Sequence, residues 1–276
     1  MRTGNLVIVA FGFGATGIAM WIAWRWRNLS VHASSPPGEK WRTHLIDATR
    51  TFAATTTAGA VSGLLVLGFG GRLVMRIVAA SSGDDAQGRL TEAEERVGDI
   101  TTDGTMAFLG FVGIGGGIMT ALAYLLLRPI LPDHAGRAGL IGAVLLTGTI
   151  GVDNPISPDN VDFALLTPLP LAIILLLATA VLFATTFTAL AARFEEISAG
   201  TGTLPRRLAS MLIFPLTLVP PFTLIVAAYV LARSALTGRS HRFGESPRMR
   251  VVASVLVGMG VVLAAINAAD AIIEIL

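Results

Sequence analysis

The sequence predicts an all-α fold, a polytopic helical membrane bundle forming a single integral membrane domain over residues 1–276. Long apolar runs separated by Gly, Pro and charge-rich stretches are the first observation behind that prediction. The second is composition: 53% of residues are hydrophobic, 14% are charged and the mean hydropathy is +0.72, a balance that soluble domains rarely reach. The third is that the weak strand alternation of an outer-membrane barrel is missing.

Runs near residues 5–24, 52–71, 106–127, 138–152, 168–192, 208–236 and 251–276 give about seven transmembrane segments. All but the fourth reach the ~20 residues that a helix needs to cross a ~30 Å hydrocarbon core. The first ends in Trp21, Trp24, Arg25, Trp26 and Arg27, an interfacial anchor rather than the end of a cleavable leader. The fourth is marginal in length. The sixth carries Pro215, Pro220 and Pro221, which lack a backbone donor and clash with the preceding turn, so it is expected to kink or split. Six spans plus a re-entrant hairpin over 208–236 is therefore the alternative architecture.

Charge places the loops, because basic residues collect on the cytoplasmic side of a membrane protein. Arg25, Arg27, Lys40, Arg42 and Arg50 put the first loop inside and the N-terminus outside. Residues 81–104 carry seven acids against two arginines and read as external; Arg128 and Arg137 mark the inside again, 153–162 the outside, and Arg193, Arg206 and Arg207 the inside. Arg239, Arg242, Arg248 and Arg250 then fall outside if the sixth run crosses once, and return inside if it is a hairpin.

Gly12, Gly14 and Gly17 match G-x-G-x-x-G, but residues 28–38 offer no second strand for a dinucleotide-binding unit. They read as glycines that let helices pack closely, as do the small-residue pairs Gly59 with Gly63 and Gly113 with Gly117. The density of Gly110, Gly113, Gly115, Gly116 and Gly117 predicts a span that bends or turns a carbonyl toward a cavity. Thr91 to Glu94 form a capping-box pattern that predicts a short helix running through Arg96.

The polar residues at membrane depth are the candidate site. Arg72 and Arg76 are one turn apart, about 40° around a helix, and read either as arginines reaching the headgroups or as an anion subsite, since guanidinium presents several fixed donors. Asp153, Asp159 and Asp162 lie in an acidic loop stiffened by Pro155 and Pro158, which reads as Asx-Pro turns or as oxygen ligands for a metal-diphosphate. Asn267, Asp270 and Glu274 fall within about 60° on one helix face, where carboxylates either reach the interface or face an interior. The candidate cavity lining is Arg72, Arg76, Asp153, Asp159, Asp162, Asn267 and Asp270.

Absent residues narrow the chemistry. With no cysteine, disulfides, thiolate nucleophiles and cysteine metal sites are excluded. The four histidines lie outside or at the borders of the runs, and Lys40 is the only lysine, so intramembrane bis-histidine haem ligation and a retinal-type Schiff base lose their residues. No P-loop, serine-hydrolase elbow or zincin helix is present. No cofactor and no metal is expected. The expected partners are membrane lipid and either a packing helix from a partner or a second copy of the chain, with no nucleic acid. The preferred reading is a transport- or channel-like protein of the cytoplasmic (inner) membrane, with an externally open polar cavity for an ion, small solute or lipid. A membrane-embedded enzyme on a lipid or isoprenoid diphosphate, and a non-catalytic subunit of a larger complex, are the alternatives.

Overall fold

The computed structural model describes residues 3–31, 41–83, 86–90, 96–97, 101–152, 156, 160, 167–198 and 247–276. Helix α1 is Thr3–Trp26. Helix α2 runs unbroken over 41–81, through Trp41–Ser62, a π-helical segment Gly63–Gly70 and Gly71–Ser81. Helix α3, Thr102–Ile130, likewise passes through a π segment, Leu109–Gly115, and ends in a 3-10 turn. Helix α4, Ala135–Gly151, ends in the π segment Thr147–Gly151. Helices α5, Leu169–Ser198, and α6, Pro247–Ile275, complete the described chain.

Among the described residues, five helices (α1, α2, α3, α5 and α6) contain stretches long and apolar enough to cross a membrane, and α4 is a shorter apolar helix. The helical membrane class thus holds. The expected run at 208–236, with the choice between one crossing and a hairpin, lies outside the described residues. One expectation fails: Arg96 does not end a helix but stands in a β-bridge with Leu90, where Gly88, at φ +77°, turns the chain so that its amide reaches the Val97 carbonyl. The remainder of that capping-box segment lies outside the described residues.

Side-chain contacts fix the direction of each helix. Gly12 meets Leu73 and Gly70 meets Thr16, so α1 and α2 are antiparallel. Gly59 packs on Gly117 and Gly63 on Gly113, so α2 and α3 are antiparallel too. Gly139 packs on Ala184, Thr185 and Thr188, which sets α4 against α5. Thr186 donates to the Ala19 carbonyl at 3.1 Å and Arg193 lies 5.8 Å over the Trp26 ring, so α1 and α5 run the same way. Leu145 meets Gly260 and Gly148 meets Ala264, so α6 runs parallel to α4.

These pairings give the bundle two ends. One gathers Trp26 to Val31, Arg128 to Ala135 and Ser198, and is rich in arginine. The other joins the end of α2 to the start of α5, where Ser82 Oγ exchanges hydrogen bonds with Thr167 (3.0 and 3.1 Å). Being parallel to α4, helix α6 starts at the basic end. The backbone at Arg248 and Arg250 therefore stands at the basic end, while Arg239 and Arg242 lie outside the described residues.

The core lies where α1, α2, α3 and α5 meet. Phe183 and Phe187 are stacked with centroids 6.3 Å apart, and Tyr124 packs edge-on to Phe187 at 5.1 Å. Small residues let the backbones close around these rings, with Ala19, Ala58, Ala121, Ala135 and Ala189 wholly buried. Helix α6 is peripheral and shows most of its apolar side chains outward.

Candidate functional site

At the basic end, the path of α1 after Trp26 is dictated by backbone pairing. The Val31 amide donates to the Asp133 carbonyl (2.6 Å), Ala135 to Leu29 (3.0 Å) and Gly136 to Arg27 (2.8 Å). This clamps the exit of α1 to the entry of α4. Helix α3 arrives beside the clamp, and Pro129, which lacks an amide donor, ends its α ladder in the 3-10 turn that begins with Arg128.

The side chain of Arg128 turns inward from that turn and is 11% exposed. Its Nε and one terminal amine donate to the Val31 carbonyl at 3.1 and 2.7 Å, and the same terminal amine bonds Glu195 Oε2. Glu195, on the last turn but one of α5, is 5% exposed, so the ion pair is buried. Glu195 lies two turns beyond Phe187 and Arg128 one turn beyond Tyr124, so the aromatic contact and the ion pair form successive layers between parallel helices. Around the rim, Arg193 pairs with Glu196 at 3.0 Å and covers Trp26.

Guanidinium with both carboxylate and carbonyl is a charge-assisted arrangement, strong in a water-poor setting and costly to leave half-made. Chemically, it offers an acid that can take a proton and a cation that can take an anion, each releasing the other. Nearby, α2 carries a buried seam of hydroxyls, Thr55, Thr56, Thr57 and Ser62. Thr56 and Ser62 bond back to the Phe52 and Ala58 carbonyls at 2.8 and 2.7 Å, whereas Thr55 Oγ1 has no hydrogen-bond partner among the described residues.

No protein-family model, characterised protein or solved structure matches this chain. The site has to be read from its own geometry.

Of the residues that the sequence offers as a cavity lining, four lie among the described residues, Arg72 and Arg76 on α2 and Asn267 and Asp270 on α6. Arg72 is not at a helix end, since α2 continues to Ser81; its amine bonds the Gly104 carbonyl and its guanidinium lies 4.7 Å over Phe108, tying α2 to the first turns of α3. Arg76 is partly buried one turn further on. Asn267 and Asp270 are both exposed on α6. A helix that starts at Arg250 reaches Asp270 in about 30 Å, one hydrocarbon thickness, so Asp270 and Glu274 lie towards the far end of α6 from the basic end. Asp153, Asp159 and Asp162 lie outside the described residues. Among the described residues, no three acids or histidines come close enough to hold a metal.

The sequence reading used Arg128 only as a topology marker and did not single out Glu195. Extending the fifth run by one turn places Glu195 on the face of Phe187 and Ala191, both buried, and that spacing was the available signal.

Proposed function

We propose that this chain is a multi-pass protein of the cytoplasmic (inner) membrane that moves an ion, small solute or lipid, with Arg128 and Glu195 as the exchangeable internal ion pair. One observation carries the reading: a carboxylate and a guanidinium are buried together where four helices close the basic end of the bundle. Ionisable groups inside a membrane bundle are expensive and mark ion or solute paths more often than they serve packing. Protonation of Glu195, or an anion taken up by Arg128, releases the partner and loosens the link between α3, α5 and the chain at Val31. The π-helical segments Gly63–Gly70 and Leu109–Gly115 face each other toward the opposite end, and such segments recur at functional sites.

The test is flux. Proteoliposomes holding the wild-type protein should collapse an imposed proton, sodium, potassium or chloride gradient faster than empty liposomes, and Glu195→Gln should change that rate severalfold while Asp270→Asn leaves it. Rates equal to empty liposomes for all four ions, or a Glu195→Gln rate equal to wild type, would contradict the proposal. The subunit reading has its own support in α6, whose apolar residues face outward along its length; copurification of a stable membrane partner on that helix would favour it.

A further inference from the structure

An apolar groove of about 350 Å³ opens on the membrane-facing side of the bundle between α1 and α2. Ala10, Phe11, Gly14 and Ile18 form one wall, Leu65 and Phe69 the other, and the Phe11 and Phe69 rings stack at 5.9 Å at its head. Nothing lies within 4 Å of where a Gly14 side chain would begin. The lining is apolar throughout, as a chain of methylenes requires.

A charge stands in line with it. Phe11, Ile18 and Arg25 follow at seven-residue intervals, which keeps them within about 40° on one stripe of α1. Ile18 is about 10 Å and Gly14 about 16 Å from Arg25 along the axis, roughly the depth of one leaflet. Arg25 is exposed and makes no salt bridge among the described residues. Beside it, Arg27 donates to the Trp24 carbonyl at 2.8 Å and lies over the Trp24 ring, and Trp21 and Trp24 are both exposed at interface depth. Gly136 packs against Arg27, which brings exposed Arg137 alongside. Among the acids with described side chains, Glu196, paired with Arg193, and Asp133 on the clamp stand at this rim.

We infer that the groove holds one anionic phospholipid from the leaflet at the basic end, its phosphate on Arg25 and Arg27 and one acyl chain along Ile18, Gly14 and Phe11. Apolar shape and positive charge, two separate observations on one stripe, select this occupant over a neutral lipid. The inference does not depend on the transport reading.

Native mass spectrometry of the detergent-purified protein, exchanged against phosphatidylglycerol and phosphatidylcholine, tests it. The wild type is expected to retain one phosphatidylglycerol in preference to phosphatidylcholine, by about fivefold for each arginine engaged. Arg25→Gln should lower that preference with retention of either lipid intact. Gly14→Leu, which fills the groove, should lose both. Gly110→Leu, at another glycine with open space around it, should match wild type. Equal retention of the two lipids by wild type, or unchanged retention in Gly14→Leu, would overturn the inference. So would lipid-free protein.

Discussion

Arg128 and Glu195 are each costly alone and tolerable together. Truncating either leaves a buried charge without its counter-ion, so Glu195→Ala or Arg128→Ala should each lower stability by about 3–5 kcal/mol, measured by thermal unfolding in detergent. Arg128→Met with Glu195→Leu should recover most of that loss, since replacing a buried pair with apolar groups of similar volume is often neutral. The rate of gradient collapse in the double variant should still differ severalfold from wild type, and that contrast separates a transport role from a structural one. The neighbouring Thr186, bonded to the Ala19 carbonyl, is a smaller case: Thr186→Val should cost roughly 0.6 kcal/mol, the usual size of a membrane interhelical hydrogen bond. The sequence announced intramembrane polarity at Asn267 and Asp270 because they interrupt an apolar run. It hid Glu195 because Arg193, Glu195 and Glu196 look like the solvated end of a span until the helix is carried on to Ser198.

Helices α2 and α3 touch backbone to backbone, and glycine makes that possible. A Cβ added at Gly117 would overlap the Gly59 carbonyl, and one at Gly63 the Gly113 carbonyl. Gly117→Ala should therefore cost about 1–3 kcal/mol through overpacking, whereas Gly110→Ala, with nothing within 4 Å, should leave the melting temperature unchanged. These two pairs were legible as small residues at i, i+4, and the structure packs them on each other. The glycine density of α3 points to a bend or a cavity-facing carbonyl; what the structure shows there is a π segment at Leu109–Gly115. In the first glycine motif only Gly12 packs, against Leu73; Gly14 and Gly17 face open space, a difference of orientation that spacing alone does not reveal. Close packing of Gly148 on Ala264 was likewise invisible, because α4 and α6 are far apart in sequence.

At the scale of the whole molecule, the helical membrane class follows from hydropathy and the alternation of helix direction from charge, and the contacts agree with both. What the sequence left open was the side on which the last helix begins, a question settled by long-range contacts that no local pattern encodes. The chain has no cysteine, so single-cysteine labelling is free of background. In sealed vesicles, His134→Cys and Ser198→Cys should react with an impermeant maleimide from one side, and Thr101→Cys and Leu276→Cys from the other. Labelling of Leu276→Cys from the side of Thr101→Cys is the result predicted by α6 running parallel to α4. Labelling of Leu276→Cys from the side of His134→Cys, or of all four positions from one side, would contradict the account.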